Sequence, residues 1–359
     1  YNPKKLSASK FAEKGAKLYV SLLAKPVDGV PLQLRLEAGP QAAVVLLNSQ
    51  DGSMAAVIGG DHVKPGGFNR AVTAERQPGS AFKPFVYLAA IRSGRYTPAT
   101  ILDDAPEVYG KWQPKNSAKD TYAGAVRLRQ AVAQSMNLPA VKLLTEVGPD
   151  TVAQLAAEMG ITSRLEPTPA MALGASAVSP MEIGSFYAAL ANRGRWQRPW
   201  IVQRVVRADG TEIPLMGRSP RPVVTEQEAY IMTSLLQSVV QEGTGARARH
   251  LGRPAAGKTG TSNDQRDAWF VGYTPEYTAV VWVGFDDFRP LGNKEYGGRA
   301  ALPIWLEVMK RAHSGLPRSD FEIPDGIVVV HIDPETGLLA YDGMEGAMEE
   351  LFIEGTEPT

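Results

Sequence analysis

The first strong pattern along the chain is an uninterrupted apolar run, Ala42-Ala43-Val44-Val45-Leu46-Leu47. It is followed by Gln50-Asp51-Gly52 and by Met54-Ala55-Ala56-Val57-Ile58 before Gly59-Gly60. Two short apolar runs parted by a turn signal predict a β-hairpin. Residues 80–92 then place Phe82, Phe85, Val86, Leu88, Ala89 and Ile91 around most of a helical surface, which predicts a helix buried in a core and ending near Ser93-Gly94. From about 98 to 193 the pattern turns helical, with runs at 128–134, 140–145, 150–159 and 180–191. Ser179, with Pro180 at the first helical position and Glu182 at the third, opens the last of these. The whole stretch reads as a helical insertion.

Strand-like spacing returns at 201–206 with an Asp209-Gly210 turn, and Thr225 with Glu228 forms a second capping box ahead of a helix through Val240, ended by Gly243 and Gly245. Two β-rich runs at 269–273 and 277–283 flank Thr274-Pro275-Glu276, and an amphipathic helix covers 302–312. After a break containing Pro317 and Pro324, the tail repeats the hairpin logic: 327–332, the turn Asp333-Pro334-Glu335-Thr336-Gly337, then Leu338-Leu339. Strands therefore lie at both ends of one domain, residues 41–315, with residues 1–40 as a preceding linker and 316–359 as a small β-rich extension.

Composition narrows the chemistry. With 44% apolar and 21% charged residues the chain has the make-up of a globular protein. Lys plus Arg and Asp plus Glu stand at 38 each, so no net field recruits nucleic acid, and Arg247, Arg249, His250 and Arg253 read as a solvated loop. Cysteine is absent, which removes disulfides, thiolate catalysis and Cys-bound metal together. His62, His250, His313 and His331 are scattered without metal-ligand spacing, so no metal and no cofactor is expected. No run reaches the roughly 18 apolar residues that span a bilayer. The start at Tyr1, without Met or an apolar leader, suggests a piece of a longer chain.

Three short motifs could carry chemistry. In Ser80-Ala81-Phe82-Lys83, positions i and i+3 share a helical face, so the Lys83 amine can reach the Ser80 hydroxyl. A desolvated lysine loses its proton readily and can serve as base for a serine, while the helix N-terminus offers amides to a developing oxyanion. The bland alternative is a helix-capping serine beside a surface lysine. Ser7-Ala8-Ser9-Lys10 matches the same pattern without a buried helix behind it, and reads as chance. Ser135-Met136-Asn137 sits at a helix break, where it is either a C-terminal cap or a hydroxyl and amide facing a cleft. Lys258-Thr259-Gly260-Thr261 is either an exposed turn lysine beside strand threonines, or a cleft strand. As a cleft strand, Lys258 and the hydroxyls hold a carboxylate and Gly260 admits a substrate backbone. A phosphate-loop pattern overlaps it at residues 252–259, although no strand–loop–helix context surrounds that match and Pro254 removes an amide.

The order SxxK, SxN, KTG on one chain resembles the motif set of penicillin-binding proteins and β-lactamases. The flanking residues are similar to class A penicillin-binding proteins: Arg76-Gln77-Pro78-Gly79 before Ser80, Pro114-Lys115-Asn116, Leu128-Arg129-Gln130-Ala131, Ala172-Leu173-Gly174, and Asp267-Ala268-Trp269-Phe270-Val271-Gly272-Tyr273. That resemblance covers roughly residues 41–315. It implies an α/β fold of the α+β type, an antiparallel sheet flanked by helices plus an all-helical subdomain. It also implies a peptidoglycan D,D-transpeptidase whose partners are donor and acceptor stem peptides, with β-lactams as covalent inhibitors. By the resemblance Ser80 is the nucleophile, Lys83 its base and Ser135 a proton relay, while Lys258 sets the local field. Asn137, Thr259, Gly260 and Thr261 then bind substrate, and the amides of Ser80 and Thr261 form the oxyanion hole.

The resemblance further implies an extracytoplasmic enzyme. Its membrane contact would be made only through an N-terminal anchor, and its glycosyltransferase domain would lie ahead of this sequence. A D,D-carboxypeptidase would use the same motifs with water as acceptor. A β-lactamase would want a loop glutamate with an asparagine four residues on, whereas Glu166 is followed by Pro167-Thr168-Pro169-Ala170.

Overall fold

The computed structural model describes residue 15 and residues 20–22, 25–31, 34–36, 39–60, 66–116, 122–215 and 219–359. Ser7, Lys10 and His62 lie outside the described residues. The elements used below are, in chain order, β1 (Gln41–Asn48), β2 (Met54–Ile58), α1 (Lys83–Arg92), β3 (Ile101–Asp104), β4 (Gly124–Arg127), α2 (Leu128–Ala133), α3 (Leu138–Val147), α4 (Pro149–Glu158), α5 (Pro180–Ala191), α6 (Glu226–Gln241), β5 (Ala256–Thr261), β6 (Asp267–Tyr273), β7 (Tyr277–Gly284), α7 (Leu302–Ala312), β8 (Ile327–Ile332) and β9 (Met348–Ile353).

The centre is a five-stranded antiparallel sheet in the order β5-β6-β7-β1-β2. The two N-terminal strands pair with each other as the hairpin pattern predicts, and β1 then joins β7 in the register Val45↔Val280. Side chains of a strand alternate between faces, and here both faces are covered. Val45, Leu47, Trp269, Val271, Val280 and Trp282 enter the core shared with α1, α5 and α6. Val44, Leu46, Phe270, Val281 and Val283 pack with Trp305 and Met309 of α7. Burial on both faces is why these strands read as continuous apolar runs rather than as alternating ones.

The capping boxes form as the sequence indicates. Ser179 and Glu182 bond reciprocally at the start of α5, and Thr225 with Glu228 at the start of α6. Burial raises the Glu182 carboxyl, but the Ser179 amide and the amides and hydroxyls of Thr162 and Ser163 all donate to it and hold it down at about 2. One glutamate thus ties a helix start to a separate loop.

Three expectations need correction. The stretch 98–193 is not uniformly helical, because β3 and β4 pair within it, and α5 packs against the central sheet, with Gly184 lying over Val280. The strand expected at 201–206 is reduced to Val205–Val206 paired with Glu212–Ile213, since Ile201 and Val202 are exposed and find no apolar surface. In the tail, the Asp333–Gly337 turn closes, but Leu338-Leu339 contributes a single bridge, Ile332↔Leu339. The partner of β8 is β9, in the register Val330↔Glu350, because β9 brings Phe352 into a buried cluster with Ala99 and Ile332 while both leucines stay half exposed.

Candidate active site

Ser80 lies on a 3-10 turn, Gly79–Phe82, that runs directly into α1, and the Lys83 amide donates to the Ser80 carbonyl. This is the tight opening turn that Pro84 demands, since proline cannot donate within a helix. Gly79 adopts φ 56°, the left-handed region, and a Cβ there would lie 2.3 Å from the Thr261 carbonyl. The turn is therefore pressed onto the edge strand β5. From the opposite side the Tyr187 hydroxyl donates to the Ala81 carbonyl at 2.9 Å.

Lys83 is fully buried, and its ammonium donates to Ser135 O at 2.6 Å, Met136 O at 2.9 Å and Asn137 Oδ1 at 2.6 Å, with Ser135 Oγ at 3.5 Å. Among the described residues none of its hydrogen bonds reaches Ser80 Oγ, so the direct i, i+3 contact expected from the sequence is not formed. Three acceptors from residues 135–137 take the three donors of an ammonium instead. Burial pushes the Lys83 amine well below its ordinary value, the nearby Lys258 charge pushes the same way, and Asp104 opposes them.

Lys258, on β5, is also fully buried; it donates to Ser135 Oγ at 2.6 Å and to the Thr259 carbonyl at 3.2 Å. Desolvation lowers it to about 7. Ser135 thus sits between two buried amines, and its backbone explains how. It has φ 58°, its amide donates to Val132 O at 3.1 Å, and the Met136 amide donates to Ala131 O at 3.0 Å. That is a Schellman cap closing α2, with serine where glycine is usual. The two sequence readings of Ser135 coincide: the cap is what turns its hydroxyl and the carbonyls of 135 and 136 toward the lysines.

Asn137 receives Lys83 on Oδ1, donates Nδ2 to Lys115 O at 2.7 Å, and donates its amide to Asn116 Oδ1 at 2.9 Å. Asn116 in turn donates to both oxygens of buried Asp104, at 2.8 and 3.0 Å. The sequence singled out Asn116 only through the resemblance, and nothing in the spacing marked Asp104, which ends strand β3.

On the facing wall, Thr259 Oγ1 lies 2.8 Å from Thr244 Oγ1, and Thr261 Oγ1 accepts from the Gly297 amide at 3.1 Å. The Ser262 amide donates to Asp267 O at 3.0 Å, continuing the β5–β6 ladder. Alternation then leaves the Thr261 N–H pointing away from β6, toward the open edge where the Ser80 turn lies. Gly260 differs from expectation. The space above it is not left for substrate: an added Cβ would meet Pro78 O at 2.3 Å and Ala81 Cβ at 3.0 Å, so this glycine admits the turn that bears Ser80. The phosphate-loop reading fails on the same segment, because Gly257, Lys258 and Thr259 are paired inside β5 and open no helix.

Two supports went unassigned from sequence. Arg76 forms a buried ion pair with Asp267 at 2.6 Å, and Asp267 also accepts from Trp282 Nε1 at 2.9 Å and Ser262 Oγ at 2.9 Å. Trp269 Nε1 donates to Gln77 O at 2.8 Å. Residues 76–79 are therefore fastened to β6 just ahead of Ser80. Glu166 is exposed and paired to Arg164 at 3.0 Å. Among the described residues no cluster of His, Asp and Glu could hold a metal, and no helix is long and apolar enough to cross a membrane.

A family model described as the penicillin binding protein transpeptidase domain matches residues 42–310, and one described as the penicillin-binding protein 1A C-terminal domain matches residues 323–359. Penicillin-binding protein 1A of Pseudomonas aeruginosa is 35% identical, over 89% of this chain and 46% of the relative. That of Aquifex aeolicus is 38% identical, over 89% of this chain and 44% of the relative. The chain spans about half the length of the curated relatives it matches. The crystal structure of penicillin-binding protein 1A from Haemophilus influenzae superimposes with a TM-score of 0.81 at 32% identity, covering 91% of this chain and 55% of that one. PonA1 from Mycobacterium tuberculosis in complex with penicillin V gives 0.72 at 27%, covering 80% and 82%. The gathered motifs, the sheet order and these matches agree, and the chain belongs to the penicillin-binding protein transpeptidase domain family.

Proposed function

We propose that this chain cross-links peptidoglycan as a serine-type D,D-transpeptidase, with Ser80 as the acylated nucleophile. The observation that carries the reading is Ser135 Oγ held 2.6 Å from Lys258 Nζ and 3.5 Å from Lys83 Nζ, beside the turn that bears Ser80. Two buried amines with lowered proton affinity around one hydroxyl form a proton relay.

In the forward step Ser80 Oγ attacks the carbonyl of the penultimate D-alanine, and its proton passes to neutral Lys83. The oxyanion is held by the N–H groups of Ser80 and Thr261. The C–N bond then breaks, the terminal D-alanine leaves with a proton delivered through Ser135, and an ester to Ser80 remains. An amine of a second stem peptide attacks that ester, gives up its proton to the relay, and releases Ser80. Thr259, Thr261 and Lys258 attract the terminal carboxylate of the donor, and Asn137 faces the peptide amide. A β-lactam enters the same path, but its leaving amine stays tethered, so the adduct persists. The domain division into residues 41–315 and a C-terminal extension from 316, and an extracytoplasmic place of action, belong to this reading.

The test is labelling with a fluorescent penicillin followed by gel and mass mapping. Wild-type chain takes up one label on the Ser80 peptide and Ser80→Ala takes up none; label that survives the substitution sinks the assignment.

A further inference from the structure

The C-terminal hairpin is bonded to the helix that presents Ser135. Glu350, on β9, is 1% exposed, and Arg129 of α2 donates to it through Nε at 2.8 Å and Nη2 at 2.5 Å. The same guanidinium donates through Nη1 to Ser238 Oγ at 2.8 Å and Ser234 O at 3.1 Å, and through Nη2 to Ser234 Oγ at 3.1 Å, all on α6. Every nitrogen of Arg129 is therefore engaged, one fork on the tail and the rest on α6. Arg127 approaches the same carboxylate at 3.9 Å.

Both ends of this arrangement lead to the cleft. Helix α2 is only six residues long, and Ser135 lies in its closing cap, six residues and about 9 Å of helical rise beyond Arg129. The segment that follows α6 reaches both walls: the Thr244 amide donates to Ala133 O at 3.2 Å, and Thr244 Oγ1 meets Thr259 Oγ1 at 2.8 Å. The separation of Ser135 from Lys258 thus depends on how α2 sits against α6. Arg129 supplies side-chain hydrogen bonds between those helices, beside the apolar packing of Leu128 and Val132, and its charge is met by the tail.

We infer that Glu350 is a positioning residue for the acyl-transfer site, acting through Arg129 and α2 on Ser135, so that the C-terminal extension is a working part of the transpeptidase. This rests on the acyl-enzyme reading above. A carboxylate is required because a buried guanidinium left without its counter-charge would draw α2 toward solvent or other acceptors. A neutral amide cannot supply that charge, whereas aspartate supplies it at shorter reach.

The experiment measures penicillin acylation by stopped flow on the full chain, separating the saturating acylation rate from the affinity of the preceding complex, alongside thermal melts. Glu350→Gln is expected to lower the saturating rate tenfold or more with affinity held within about twofold, and Glu350→Asp to recover part of it. Met309→Ala, a cavity variant in the core under α7, serves as a control that loses thermal stability yet acylates at the wild-type rate. Where Glu350→Gln does not fold, Glu350→Asp carries the same expectation with a smaller loss. A folded Glu350→Gln that acylates at the wild-type rate overturns the inference, as does a rate loss that Met309→Ala reproduces at equal stability. Failure of wild-type chain to label at Ser80 overturns the acyl-enzyme reading and this inference together; normal labelling with unaffected Glu350 variants overturns this one alone.

Discussion

Lys258 Nζ lies 2.6 Å from Ser135 Oγ, and the carbonyl of the same serine accepts from Lys83 Nζ at 2.6 Å. Strand β5 and the cap of α2 are brought into hydrogen-bond contact through this one pair, and 123 residues separate the partners in sequence. Both amines are buried around it, and the Lys258 charge lowers further the proton affinity of Lys83 that burial has already lowered.

On the proposed mechanism these two amines set the pH profile of acylation. Lys83 acts there as a neutral base, so the rate is expected to rise with pH through a midpoint well below an ordinary lysine's. Lys258 acts as a cation and loses its proton above about 7, so the rate is expected to fall again on the alkaline side. Lys258→Arg keeps its charge at all accessible pH and should move the falling limb upward, although its fork lowers the maximum. Stopped-flow acylation from pH 5 to 10 decides it: an alkaline limb that stays put in Lys258→Arg rules out Lys258 as its source.

The same burial makes Lys258 a liability for folding. Its amine titrates near 7 in the folded chain against 10.5 in the open, so between those values the unfolded chain binds more protons. The penalty is fully developed below about 7, shrinks as pH rises, and is gone above 10.5, at up to ~1.4 kcal/mol per pH unit for one group. Lys258→Met should therefore melt higher than wild type at pH 6, with the gap narrowing toward pH 10, while acylation is lost. A gap independent of pH would refute the titration argument.

Ser135 holds a left-handed backbone conformation at φ 58°. A non-glycine residue at φ 58° is less stable than glycine there by about 1–2 kcal/mol. Ser135→Gly should raise the melting temperature, and Ser135→Ala, which keeps the Cβ, should not; both should lose most acylation because the shared hydroxyl is gone. If the two variants melt alike, the cap is unstrained.

Which of these features a sequence can carry follows from their range. Ser179 with Glu182, Thr225 with Glu228 and the Gln50-Asp51-Gly52 turn act within a few residues, and each forms as its spacing indicates. The three motifs were legible because their chemistry is written in adjacent residues. Pairing of β1 with β7 across more than 200 residues was not, because both are uniformly apolar and admit several registers. No local pattern marks Glu350 as buried, because the partner that takes its charge, Arg129, lies 221 residues earlier. Leu338-Leu339 looked like a strand and found no surface to cover. Lys83 could reach Ser80 by spacing alone, yet carbonyls delivered by the α2 cap, invisible to local pattern, hold it.

Gly260 separates two explanations of the third motif. If its role were to admit a substrate backbone, Gly260→Ala would leave folding intact and weaken only the binding step. The contacts point elsewhere: the new methyl would sit 2.3 Å from Pro78 O and 3.0 Å from both Ala81 Cβ and Trp269 Cβ. Backbone cannot retreat there cheaply, because Gln77 is fastened to Trp269 and Arg76 to Asp267. The variant should therefore lose ~1–3 kcal/mol of stability, as overpacked cores do. It should also slow the saturating acylation rate by about 10²-fold, the scale of an ångström's misplacement of a reacting group. Thermal melts beside stopped-flow acylation read both, and a Gly260→Ala chain with wild-type stability and a normal saturating rate would return the glycine to the substrate.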